Sequence, residues 1–157
     1  MSGTPQNNAN SLLVGTQNVA GYLRYFNGYI SNFRLVTGAA LYTANFTPSR
    51  KPLGIASSGS TALLTCKGRT VADQSNNNLT VTANGNAGVA SLSPFRSLDY
   101  NGTSCYFDGA GDYLVGPSNN ASLDFGTGDF TIDCWVMLTS SAATARVIAC
   151  YVNAAGT

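Results

Sequence analysis

The chain contains no histidine and no glutamate. The first absence removes Ser-His-Asp and Cys-His activation of a nucleophile, together with any imidazole-ligated zinc. The second removes every Glu-based acid–base pair. Charge of either sign is scarce, at 10% of 157 residues, against roughly 25% in typical soluble domains. A net charge of +1 supplies no field to steer nucleic acid or an anionic membrane surface, so neither is expected as a partner. No apolar run approaches the roughly 20 residues that span a bilayer, and the stretch Met1 to Gln6 lacks the basic and apolar blocks of a signal peptide. The four cysteines, Cys66, Cys105, Cys134 and Cys150, show no C-x-x-C spacing, which argues against a closed thiolate zinc site. Each stands in an apolar or strand-like context, where a free thiol behaves as a small buried hydrophobe. Reduced core thiols are the favoured expectation, with one or two disulfides as the alternative.

What is present instead is neutral polarity on an ordinary apolar framework. Asn, Ser and Thr number 16 each, Gly 17, and 44% of residues are hydrophobic, so a packed core is feasible. Solubility must come from amides and hydroxyls. Short extended patterns alternate with turn residues throughout. Leu12 to Gly15 suggests a buried strand, and Asn27-Gly28 reads as a tight turn because both residues tolerate positive φ. After it, Tyr29, Ser31, Phe33 and Leu35 alternate with Ile30, Asn32, Arg34 and Val36, a period of two. Pro48 and Pro52 bar their segment from a central strand. Further strands are expected at 62–66, 79–83, 105–109, 113–115 and 146–152, with a loop over 73–78. The clearest strand runs from Phe130 to Leu138. Phe130, Ile132, Cys134, Val136 and Leu138 line one face, and Thr131, Asp133, Trp135 and Met137 take the other. No amphipathic helix stands out, so the expected class is all-β, as an antiparallel sandwich or barrel.

Two blocks of residues carry a family resemblance. The first is Tyr25 to Val36 with Leu41 to Pro48. The second is Cys105 to Gly109 with Asp112 to Leu114, continuing through Leu123 to Ile132. Together they resemble the concanavalin A-like lectin/glucanase superfamily, in the laminin G-like form common in phage and viral structural proteins. The resemblance implies an antiparallel jelly-roll sandwich, and the order of the blocks matters. The first looks like the closing strand of such a domain and the second like the opening of one. Residues 1–53 are therefore expected to be the C-terminal part of one laminin G-like sandwich, 54–60 a linker, and 61–157 the N-terminal part of a second. Either the chain is a segment of a tandem array, or its halves combine in a permuted or intertwined way. In both cases the sandwich is incomplete by itself and is completed by neighbouring sequence or subunits, because an open half-sandwich leaves apolar surface and strand edges in water.

The resemblance also implies a function: a non-enzymatic module on a virion surface, such as a tail fibre, spike or capsid adornment. Its partners would be other virion subunits, including further copies of itself, and a host surface polysaccharide. A secreted bacterial surface protein is the alternative origin, while inter-subunit mortar without ligand and a glycan hydrolase are the alternative activities. For sugar binding, Tyr25, Asn27, Tyr29 and Tyr113 are the candidates, since tyrosine rings stack on sugars and amides bond their hydroxyls. Tyr22, Tyr106 and Trp135 could stack in the same way, although Trp135 is expected to pack in the interior. Asp108 and Asp112, in Asp108-Gly109-Ala110-Gly111-Asp112, are the candidate metal ligands, and calcium is the one cofactor considered. Calcium wants six to eight oxygens, so a glycine turn capped by its aspartates explains the same residues with less. Hydrolysis with retention needs two carboxyls about 5 Å apart. Asp129 and Asp133 would stand roughly 13 Å apart on one extended strand, and no other acid–base pair is visible.

Overall fold

The computed structural model describes residues 10–19, 22–97, 100–139 and 146–151. Among them are thirteen strands: β1 (Leu12–Val14), β2 (Thr16–Val19), β3 (Tyr22–Tyr25), β4 (Asn27–Thr37), β5 (Ser60–Thr65), β6 (Thr82–Asn84), β7 (Gly88–Ala90), β8 (Arg96–Ser97), β9 (Tyr100–Asn101), β10 (Ser104–Asp108), β11 (Tyr113–Val115), β12 (Phe130–Leu138) and β13 (Ala149–Tyr151). The only helical element among the described residues is one 3₁₀ turn, Ala121–Leu123, where the Asn120 side chain accepts from Ser122 N–H. All strand pairs are antiparallel. The protein is all-β, with one sheet curled strongly into a half-barrel.

One sheet has the order β13-β1-β11-β6, and a second has the order β12-β4-β10-β7 with β5 also on β4. Strands β2–β3 and β8–β9 form two small ribbons. Apolar side chains from both larger sheets meet in a single core. Leu12, Val14 and Leu114 come from the first, and Ile30, Phe33, Leu35, Leu63 and Phe107 from the second. Phe26 meets Phe107 edge-on, with ring centroids 5.9 Å apart. Gly15 is required beside this pair, because a Cβ there would stand 2.6 Å from the Phe107 ring at a φ of +88°.

Strand β4 organises the second sheet. Along one edge it pairs with β12 for its whole length. Along the other its first half pairs with β10, from Asn27 to Ile30, and its second half with β5, from Phe33 to Thr37. The fork lies at Asn32, buried at a φ of +55°. Its N–H donates to Cys66 O (2.9 Å), its Nδ2 to Ser31 Oγ (2.9 Å), and its Oδ1 accepts from Leu53 N–H (2.8 Å). Opposite the fork, three steps on β4 (Arg34 to Ser31) face two on β12 (Asp133 to Trp135), so β4 carries a one-residue bulge.

The bulge corrects the expected alternation. Phe33 and Leu35 enter the core with Ile30, whereas Tyr29 and Ser31 look out through the other face with Arg34. An inserted residue reverses side-chain parity, and a strict period of two cannot register it. Asn27-Gly28 is not a turn; both lie within β4. Gly28 is there because a Cβ would collide with the Met137 carbonyl of the adjacent strand, a close backbone approach being the other reason for glycine in a strand. The strand expected over 79–83 is reduced to β6, and the one expected from Arg146 to β13, with Val152 outside the described residues.

The irregular segment after β4 folds back across the outer face. Thr131 Oγ1 donates to Ala39 O and accepts from Leu41 N–H, and Arg34 Nη1 donates to Gly54 O. Within the stretch 54–60, Ala56 N–H donates to Thr61 Oγ1. Strand β4 from residues 1–53 and strands β5, β10 and β12 from 61–157 share one sheet. The expected loop over 73–78 is present, and Asp73 is its anchor. The buried carboxylate accepts from Leu64, Ser75 and Leu79 N–H and from Ser75 Oγ.

Asn32→Ala is expected to lower the unfolding free energy by about 2–4 kcal/mol, through a stranded Leu53 N–H and a left-handed residue that lacks its local bonds. Asn32→Gly, which removes the backbone strain, should recover part of the loss. A wild-type urea midpoint in Asn32→Ala would show that the fork does not depend on this side chain.

Candidate functional site

The bulge at Asn32 and the two-residue period of β12 and β10 bring one set of side chains to the outer face of the second sheet. Tyr29 and Ser31 come from β4, Ser104 and Tyr106 from β10, and Trp135 and Met137 from β12. The Tyr29 and Tyr106 rings lie 5.0 Å apart at a tilt of 44°. A loop at Leu92, Ser93 and Pro94 forms the far wall, and Phe95 meets Trp135 edge-on at 5.0 Å. Between them is a shallow, mainly apolar cleft of about 140 Å³. Its walls are held by buried hydroxyls: Ser31 Oγ donates to Thr103 O (2.9 Å), Ser104 Oγ to Leu92 O (2.6 Å), and Ser93 Oγ accepts from Phe95 N–H.

Two register positions from the Tyr29–Tyr106 pair, Asn27 faces Asp108. Asn27 Nδ2 donates to Asp108 O (2.8 Å), and its Oδ1 accepts from Thr139 Oγ1. Asn86 Nδ2 approaches Asp108 Oδ2 at 3.5 Å, an exposed contact. A strip of amides and one carboxylate therefore continues the aromatic floor toward the end of the sheet.

Of the candidate sugar-binding residues, Asn27 and Tyr29 fall on this face. Tyr25 lies in the β2–β3 ribbon opposite Thr16, and Tyr113 on β11 opposite Asn84, so neither lines the cleft. Tyr22 lies in the same ribbon. Trp135 is half-buried, packed on one side and open on the other. Residue type alone cannot separate these tyrosines, because sheet membership decides which rings converge. Ser93-Pro94-Phe95, which makes the wall, went unremarked among the expected strands and turns. A proline beside an aromatic is the signal that could have found it.

The candidate metal ligands form a loop lock. Asp112 is fully buried; its Oδ2 accepts from Asp108 N–H at 2.8 Å and its Oδ1 from Asn86 N–H. Asp108 Oδ1 accepts from Ala110 N–H at 2.7 Å. Gly85 presses on the same carboxylate, and a Cβ there would collide with Asp112 Oδ1. These bonds fasten the turn after β10 to the turn between β6 and β7. No cluster of three or more potential metal-binding side chains occurs among the described residues. Calcium would have to displace backbone donors from a carboxylate already satisfied by them.

A third polar group lies farther along the same face. Arg34 grips Asp133 with both ends of its guanidinium, Nε to Oδ1 at 3.0 Å and Nη2 to Oδ2 at 2.6 Å. Tyr42 OH donates to the same Oδ2 at 2.8 Å, and its ring stacks on Phe46 at 4.1 Å. Burial works against the Arg34 charge, but Asp133 and Tyr42 more than offset it, so its pKa is raised. Asp133 is thus committed to an ion pair. Cys66, Cys105 and Cys134 lie on the core side as free thiols. Burial first, then the neighbouring Cys105 and Cys134, pushes the Cys66 thiol well up. Burial with Asp133 beside it raises Cys134 to about 11.

Comparison with family models, with curated proteins and with solved structures returns no match for this chain.

Asp112→Ala is expected to lower stability by about 2–4 kcal/mol by stranding two backbone donors. Millimolar calcium should leave the thermal midpoint of the wild-type chain unchanged, since a ligand stabilises only what it binds. A calcium-dependent rise that vanishes in Asp112→Ala would reassign the loop as a cation site.

Proposed function

We propose that this chain is a non-enzymatic jelly-roll module of a virion surface, serving in assembly and in attachment to a host polysaccharide. The observation that carries the attachment half is the outer face: a cleft lined by Tyr29 and Trp135, with Tyr106 packed against Tyr29 and a strip of Asn27, Asp108 and Asn86 beside them. Aromatic faces with adjacent amides and a carboxylate supply stacking and hydrogen bonding together, the chemistry a sugar ring demands. The cleft, at about 140 Å³, is well below the 300–1,000 Å³ of pockets that enclose a ligand. It suits one ring of a polymer held shallowly, with avidity from many copies raising a weak single contact. The resemblance to laminin G-like repeats of phage and viral structural proteins supports the setting. A secreted bacterial surface protein would use the same chemistry.

A non-catalytic role is supported by how the carboxylates are used. Asp133 is paired with Arg34, and both oxygens of Asp112 hold backbone N–H groups. Neither is free to act as nucleophile or acid, and the chain has no Glu or His to take that part. A role as inter-subunit mortar without ligand is favoured by a different observation, the exposed apolar face of β12.

A glycan array probed with an oligomeric form of the chain is expected to show binding to a subset of polysaccharides. Trp135→Ala and Tyr29→Ala should each weaken it by about tenfold, the value of one lost stacking contact, with the circular dichroism unchanged. Signal at background across the array would dispose of attachment and leave mortar.

A further inference from the structure

Among the described residues strand β12 ends the second sheet, with β4 as its one neighbour there. Four of its five core-side residues are about half exposed: Phe130 45%, although it stacks on Phe125, Ile132 41%, Val136 47% and Leu138 52%, while Cys134 packs against the core. On β4, directly beside them, Ile30 and Leu35 are completely buried. The apolar face therefore continues past the covered core and stops at an open edge. The backbone is open too. Gly38 N–H donates to Asp129 O, which sets the alternation so that Thr131 and Asp133 aim their peptide groups at β4 while Phe130 and Ile132 aim theirs outward.

Natural edge strands are guarded by lysine, proline, an outward bulge or an inward charge. The nine residues of β12 contain no lysine and no proline, and the bulge is on β4. The one charge, Asp133, is neutralised by Arg34 at 2.6 Å. Nothing on this edge repels an identical edge.

We infer that β12 is the contact surface for a second copy of this chain, pairing antiparallel with its counterpart about a two-fold axis at Cys134. On its core side the strand is symmetric about that residue in apolar content. With the axis there, Phe130 faces Leu138 of the second copy, Ile132 faces Val136, and Cys134 faces Cys134. All are core-side positions, so every exposed apolar group on the core side of one edge meets an apolar group on the other, the cross-strand pairing that stabilises sheets. A contact of this kind is isologous and closed, and it stops at two. Two nine-residue edges, each about 30 Å long, with their stripes of half-exposed side chains, reach the order of 1,000 Å² that a specific interface requires. This inference rests on the assembly half of the proposed function and names its surface.

Light scattering on the intact chain is expected to give twice the 16.3 kDa of one copy. Copper-catalysed oxidation in a Cys150→Ser background should link the pair through Cys134, because directly opposed residues stand about 4.5–5.5 Å apart, within the span of a disulfide. Adding Cys134→Ser should abolish the link and keep the dimer. Ile132→Lys and Val136→Lys should each weaken association at least about tenfold by setting an unpaired charge against an apolar side chain at the contact, with far-ultraviolet circular dichroism unchanged. A dimer that resists both lysine variants, or that never links through Cys134, overturns this surface while leaving assembly intact. A chain that is monomeric at every concentration yet binds polysaccharide overturns it too, and leaves attachment standing.

Discussion

Everything in the second sheet depends on a single strand having to satisfy three neighbours. Strand β4 is eleven residues long, and β12 occupies all of one edge while β10 and β5 divide the other. Two strands cannot leave one edge in different directions without a break in the ladder, and Asn32 makes that break. A left-handed residue costs little when it is asparagine and its amide is fully bonded. Here the amide ties together Ser31 and Leu53, while the N–H reaches Cys66 at the end of β5. The bulge and the parity reversal follow from it.

That reversal also separates two surfaces of different character on the same strands. Before the fork, the outward positions of β4 form the cleft with Trp135 and Met137, and Tyr106 packs beside Tyr29. After it, they meet Asp133 and are roofed by the segment after residue 38. The core side is shared until β12, where cover runs out. A wet aromatic face and a dry unfinished edge thus lie back to back, one strand thick. Under the proposed function, ligand and second copy would take different surfaces of the same strands.

Strands β1, β5, β10, β11 and β12 were legible because each is a short alternating or apolar run bounded by Gly, Asn or Pro, and local pattern is enough to find them. The two faces of β12 were legible down to the residue, since no insertion disturbs its period. What escaped was whatever depends on a partner strand. Gly28 resembles a turn glycine until Met137 is placed against it. Asn32 resembles one more polar residue until β4 is given two partners on one edge. Arg34 and Asp133 are 99 positions apart, and nothing local in either suggests the other. The same holds for the site: Asn27 and Tyr29 converge with Tyr106 through strand pairing, while Tyr25 and Tyr113, identical in chemistry, are carried elsewhere.

The Arg34–Asp133 pair is roofed by the Tyr42–Phe46 stack and by the Gly54 carbonyl. Dissolved ions screen exposed charges within about 10 Å at 0.1 M but reach partly buried pairs far less. The clasp between β4 and β12 is therefore insulated from the medium, and with so few other charges on the chain, its sheets hold together much the same in dilute buffer and in brine.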